Sequence, residues 1–296
     1  MNFIPGRPTS AAAILASALL AATQVSAPVP RSIFTDPVHD SINPARSEVL
    51  HIPTAGTQIN GLAYIAQGAK RHPTVILMHG LPGNEKNLDV AQAIRRAGWN
   101  VVTFNYRGSW GSPGEFRFAQ VPQDADAVIA FVEDTANARR LNIDTNRIVL
   151  GGHSMGGWAT VLTASHHPEL IGAFLISAAD MGRWYSVNRA ETVAHMADDM
   201  ESLAGVTAES MSDEIIANGE RWQFDDARAT ELSHTPLLVL TSNDGLAAHA
   251  EEFVKAIRSH GNMRVTTFHC ATDHSWNDSR IVLESKIVSW LQQLDK

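Results

Sequence analysis

From Pro73 onward, strand-length runs of apolar residues with no polar alternation are separated by stretches of helical periodicity. The runs occupy residues 74–78, 100–105, 147–150, 173–177, 236–240 and 264–268. A sheet with one face in water needs a polar residue at every second position, so runs that stay apolar belong to a parallel sheet covered on both sides. Between the runs, Ala125, Val128, Ile129 and Val132 share one helical face, as do Ala250, Phe253, Val254 and Ile257. Leu283, Ile287, Trp290, Leu291 and Leu294 repeat the pattern near the end of the chain. This alternation predicts a doubly wound α/β domain with a mostly parallel sheet and ligand chemistry at the carboxyl ends of its strands.

Other segments depart from that rhythm. Residues 1–27 read as a secretory signal peptide: Arg7 precedes an apolar run over 11–22, and Val25-Ser26-Ala27 has the small-x-small form of a cleavage site. The run is shorter than the ~20 residues that span a bilayer, so export without stable membrane insertion after cleavage is expected. Residues 28–45, with Pro28, Pro30, Pro37 and Pro44, read as a connector. Residues 46–296 form the α/β domain, opening with a hairpin of runs 48–53 and 58–66 joined around Gly56. Residues 180–235 lack any strand-like run and far exceed an ordinary connection, which predicts an inserted helical cap. The single cysteine, Cys270, excludes an intramolecular disulfide and is expected to be a core residue near the last strand.

The strongest chemical signal is Gly152-His153-Ser154-Met155-Gly156, set between the run 147–150 and the helical stretch 157–166. A serine on a tight strand-to-helix turn has its hydroxyl exposed, and the flanking glycines let the turn close. A helix capped by Ser154 explains the serine but not both glycines. A serine hydroxyl needs a base, and the base needs an orienting group. His274 is the candidate base, because it lies between the last strand-like run and the last helix; His249 and His79 are its rivals. Asp244, directly after the run 236–240, is the candidate acid, with Asp180 as the alternative. The backbone N–H groups of Leu81 and Met155 are candidate oxyanion donors. Trp110 and His153 are candidate pocket residues; Trp110 and Phe116 serve equally well as loop anchors.

From about residue 46 to 296 the chain resembles the α/β-hydrolase superfamily, on the loop at His79-Gly80, the elbow Gly152–Gly156, Asp244 and His274. Asn105-Tyr106-Arg107-Gly108-Ser109-Trp110-Gly111-Ser112-Pro113-Gly114 is also similar to that superfamily's loop after its second parallel strand. The chain order Ser, Asp, His is the superfamily's own. Within it, the chain looks most like bacterial serine hydrolases related to dienelactone hydrolases and to acylaminoacyl or dipeptidyl peptidases. Fewer than 50 residues precede the α/β region, little more than the ~40–45 of one propeller blade, so no propeller that selects peptides is expected. The resemblance also implies a structural ion pair between Arg107 and Asp124.

The expected function is hydrolysis of carboxylic ester or related acyl bonds in a small-molecule substrate, with an aminopeptidase-like amidase and a non-catalytic binding protein as alternatives. No metal-ligand or phosphate-loop motif occurs, so neither a metal nor another cofactor is implied. The formal charge of −8 and the lack of a basic block argue against nucleic-acid binding. That charge is localised: residues 180–235 hold 12 acidic residues and 4 arginines, leaving the rest of the chain balanced. Most of these acids are expected on solvated helix faces. Any that face the site should favour neutral or cationic substrates over anionic ones.

Overall fold

Eight strands form one sheet in the order β1-β2-β4-β3-β5-β6-β7-β8 in the computed structural model, which describes residues 29–295. The expected signal peptide lies outside the described residues. The strands are β1 (Arg46–Thr54), β2 (Thr57–Ile65), β3 (His72–Met78), β4 (Asn100–Phe104), β5 (Ile143–His153), β6 (Gly172–Ile176), β7 (Leu237–Thr241) and β8 (Val265–His269). β1 and β2 are the expected hairpin and join antiparallel to β4, whereas β3 to β8 run parallel.

The helices are α1 (Leu88–Arg96), α2 (Gln120–Glu133), α3 (Thr135–Arg140), α4 (Met155–Ala164), α5 (Arg189–Ala197), α6 (Ala208–Trp222), α7 (Asp226–Glu231), α8 (Ala247–Ser259) and α9 (Arg280–Leu294). One apolar cluster packs α2, α4 and α8 on one face of the sheet. A second packs α1 and α9 on the other. Every residue of β3, β6 and β7 is consequently buried. β8 is the exception, with Thr266, Thr267 and His269 exposed, because it is an edge strand.

Two boundaries differ from the sequence expectation. β5 has eleven residues rather than four: it begins four residues early, at Ile143, and continues through Gly151, Gly152 and His153. A Cβ on Gly151 would lie 2.0 Å from the Phe174 ring, so the strand needs glycine where periodicity reads a break. α4 begins at Met155, two residues before the expected helix. The connector is also partly anchored: Arg96 donates to the carbonyls of Ser32 and Ile33, and Ile33 is buried.

Between β6 and β7 the chain forms the cap, with a 3-10 turn at Met181–Ser186 followed by α5, α6 and α7. Backbone hydrogen bonds stitch it to the loop after β4. The N–H of Trp110 donates to Ser202 O, that of Phe116 to Ala204 O and that of Ala204 to Gly108 O. A short antiparallel bridge pairs Ser109 with Leu203.

That loop is fixed from behind by a buried ion pair. Arg107 Nε lies 2.6 Å from Asp124 Oδ1, and the Arg107 backbone N–H donates to Oδ2. The Thr54 hydroxyl donates to the same carboxylate. Asp124 is fully buried, which raises its carboxyl pKa despite these partners. Arg107→Met removes the countercharge and leaves the carboxylate unpaired, so urea unfolding of this variant is expected to show a loss of about 3–5 kcal/mol. An unchanged unfolding midpoint would rule out that structural role.

Candidate active site

Order reverses at β3: the chain steps from β3 to β4 on one side and then to β5 on the other. The carboxyl ends of β3 and β5 therefore flank a crevice, the usual ligand position in such sheets. The loop after β3 carries Leu81, and the turn after β5 carries Ser154.

Ser154 has φ 55° and ψ −119°, a left-handed conformation that side chains rarely adopt. Its neighbours show why the turn is built from glycine. A Cβ on Gly152 would stand 2.1 Å from Gly156 O, and one on Gly156 would stand 2.5 Å from Met78 O. The elbow can form only where the chain passes itself this closely.

β7 and β8 are adjacent, and the loops after them bring Asp244 and His274 together. His274 Nδ1 donates to Asp244 Oδ2 at 2.8 Å. Partial burial raises the Asp244 carboxyl. The hydrogen bonds it accepts from His274, the Leu246 N–H and Ser242 outweigh that effect and bring its pKa down to about 2. An ionised Asp244 places the His274 proton on Nδ1 and leaves Nε2 bare. Ser154, Asp244 and His274 all line one cavity of about 490 Å³. No hydrogen bond joins Ser154 to His274 among the described residues; such contacts often tighten only when substrate is bound.

Leu81 and Met155 line the same cavity. Neither N–H donates to a protein acceptor among the described residues, so both are available to an incoming oxygen. The Leu81 loop is held by Trp110, whose indole N–H donates to Pro82 O at 2.8 Å, and Lys86 Nζ lies 4.1 Å above that ring.

The remaining candidates separate from the site. Asp180 points toward the cap, accepting from Arg183 Nε and from the Phe224 N–H. Trp110 does not line the cavity, because its polar edge is spent on Pro82, and Phe116 is fully buried in the core. His153 is also absent from the cavity wall. It sits behind His274, with ring centroids 4.6 Å apart, and its Nε2–H donates to His274 O at 2.9 Å. Burial and then the nearby His274 charge push the His153 pKa down to about 3, so it is a neutral prop for the backbone of His274. Of the rival histidines, His79 is buried, with Nδ1–H donating to Gly80 O, and burial lowers its pKa to about 4. His249 lies on α8 and does not line the cavity. Cys270 lies just past β8, half-buried.

Several cavity residues carry no sequence signal. Met181, Trp184, His195, Met196 and Asp199 come from the cap, and Leu246 from the loop after β7. Their positions follow from the irregular start of the cap rather than from any period.

Comparison with known proteins agrees with this geometry. Residues 73–236, more than half of the chain, match the alpha/beta hydrolase fold family. Cutinase 2 of Thermobifida cellulosilytica is 26% identical over 147 residues, which is 49% of this chain and 54% of that protein. A cutinase of Thermobifida fusca is likewise 26% identical over 147 residues, covering 44% of its length. The chain thus spans about half the length of these relatives. Among solved structures, an esterase from Pyrobaculum calidifontis superposes with a TM-score of 0.61 at 20% identity, covering 90% of this chain and 88% of that one. An acylaminoacyl peptidase from Pyrococcus horikoshii gives a TM-score of 0.65 at 15% identity, covering 85% of this chain and 42% of that one. At such identities these two likenesses speak for the fold alone. With the family match spanning the elbow and the parallel strands on either side of it, the chain belongs to the α/β-hydrolase fold family.

Proposed function

We propose that this protein is a serine esterase that cleaves carboxylic esters through an acyl-enzyme. The observation that carries the reading is a single cavity holding the strained Ser154, the His274–Asp244 pair and two backbone N–H groups without protein acceptors. In this reading Ser154 Oγ attacks the acyl carbon while His274 Nε2 takes its proton. The N–H groups of Leu81 and Met155 hold the oxyanion, each worth about 2.7–4 kcal/mol in the transition state. The C–O bond then breaks, and His274 passes its proton to the departing alcohol. Water, deprotonated by His274, attacks the acyl carbon and frees Ser154 and the acid.

Esters are preferred over amides on two grounds. The walls at Leu81, Met155, Met181, Trp184 and Met196 are apolar, which suits an acyl or alkyl chain. Among the sequence relatives are proteins that bear the name cutinase. Labelling with a fluorophosphonate probe tests the nucleophile: modification at Ser154 is expected, and an unlabelled native protein rejects the enzyme reading. Turnover of p-nitrophenyl esters of graded chain length against aminoacyl anilides tests the bond, with faster anilide cleavage rejecting the esterase. Export, inferred from residues 1–27, is checked by whether the mature N-terminus lies near residue 28.

A further inference from the structure

The acidic cap presents far less charge to the cavity than its composition suggests. Asp213 pairs with Arg189, Asp225 with Arg228 and Asp226 with His260. Glu214 accepts the N–H groups of Phe118 and Ala119, and Asp180 is occupied by Arg183 and Phe224. Asp199 alone among the cap acids lines the cavity. The His195 imidazole next to it places Nε2 3.9 Å away, beyond hydrogen-bond distance. The His195 ring is itself stacked on Trp184, 4.3 Å between centroids at 18°, and both line the cavity. Asp199 is also near enough to His274 for their charges to interact.

We infer that Asp199, with the aromatic wall at Trp184, forms a subsite for a cationic group, so that the favoured substrates are esters carrying an ammonium on the acyl or alcohol side. The inference rests on the esterase reading. A half-buried carboxylate attracts an ammonium more strongly than an exposed one does, and the Trp184–His195 stack beside it gives the alkyl groups of the cation an apolar wall. The other titratable group in that part of the wall, His195, offers no anion. Asp244 is already committed to His274.

Two matched pairs test this. One compares the p-nitrophenyl ester of a butyryl chain ending in trimethylammonium with its uncharged tert-butyl isostere; the other compares a choline ester with its tert-butyl carbon analogue. Each kcat/KM is divided by the same ester's alkaline hydrolysis rate. In at least one pair the cation is expected to lead by about tenfold at low salt, the effect of one partly solvated charge pair. The lead should shrink toward physiological ionic strength. In Asp199→Asn the ratio should fall to about one. A wild-type ratio of one or less in both pairs overturns the subsite while leaving the esterase intact, and this result needs no variant to fold. A ratio that persists in Asp199→Asn also overturns it. Failure to cleave any of the four esters rejects both readings.

A separate cluster lies at the far end of α4 from Ser154, where His166 and His167 follow the helix. Asp126 Oδ1 on α2 stands 3.0 Å from His166 Nε2 and 3.2 Å from His167 Nε2. The three donor atoms lie within 4.8 Å of one another. Tetrahedral zinc, with bonds of about 2.0–2.1 Å, holds donor atoms roughly 3.3 Å apart, so a small separation would seat the ion. His167 Nδ1 meets Glu169 Oε1, the carboxylate partner that metal-bound histidines usually have. We propose that Asp126, His166 and His167 bind one zinc ion, with water completing the tetrahedron, and so tie α2 to the end of α4. The sequence motifs miss it because the ligands sit on two elements. Calorimetry on untagged, chelator-washed protein should find one zinc per chain with a micromolar Kd, lost in His166→Ala and His167→Ala. No zinc uptake by the wild type, or uptake unchanged in both variants, overturns the site.

Discussion

Ser154→Ala should lower kcat for p-nitrophenyl butyrate by about a million-fold, leaving only the residual catalysis that oxyanion donors and binding supply without a nucleophile. The loss should appear in kcat, since the hydroxyl acts on the reacting carbon and the apolar walls that bind substrate remain. The protein should stay folded, because the Ser154 side chain forms no hydrogen bond among the described residues and its backbone bonds to Ile176 and Trp158 are kept. A companion variant makes the argument sharper. Ser154→Gly relieves a left-handed backbone at φ 55°, and unfolding should show a gain of about 1–3 kcal/mol, the strain such a residue stores. A dead but more stable protein is the signature of an elbow held under strain for its chemistry. An Ala variant with more than a hundredth of wild-type turnover would show that the nucleophile lies elsewhere.

Asp244→Asn should cost about ten-thousand-fold in kcat, measured on the same ester. The carboxylate accepts from His274 Nδ1–H, so it fixes the tautomer in which Nε2 is free to take the serine proton. An asparagine can donate to Nδ1 instead and stabilise the tautomer with the proton on Nε2. The substitution also changes acid stability in a definite direction. Asp244 has its pKa lowered from 3.8 to about 2 in the folded protein. It therefore contributes stability that is fully present above 3.8 and is lost as pH falls through about 2. Acid titration should show that the Asn variant loses less stability than the wild type across this window. If the variant keeps a tenth of wild-type activity, Asp244 is not the group that orients the base.

The strands were legible because a sheet covered on both faces leaves little choice of residue: all eight expected runs are strands, with β5 longer at both ends, through the polar residues Asp144, Thr145 and Asn146 before the run and the glycines after it. The meeting of Ser154, Asp244 and His274 in one cavity was legible for a related reason, as each lies in a turn or loop that follows a strand. Trp110 and His153 were not. Whether a loop side chain faces a cavity or the structure behind it depends on which acceptor it finds, and Pro82 O and His274 O are distant in sequence. The cap wall was hidden for the same cause. Its length predicted an insertion, but the 3-10 turn at Met181–Ser186 and the stack of Trp184 on His195 have no period to detect.

The stitching of residues 202–204 to the loop after β4 bears on how the enzyme could be re-engineered. A cap joined only at its two chain ends could be exchanged as a cassette between Asp180 and Thr235. Here a transplanted cap must also reproduce residues 202–204, a left-handed turn residue at Ser202 followed by the bridge residue Leu203 and by Ala204, which pair with Gly108, Ser109, Trp110 and Phe116, or that loop loses three backbone partners and its grip on Pro82. Libraries that vary α5 and the turn before it, while leaving 202–204 untouched, can therefore reshape the cavity wall without loosening the loop that carries Leu81.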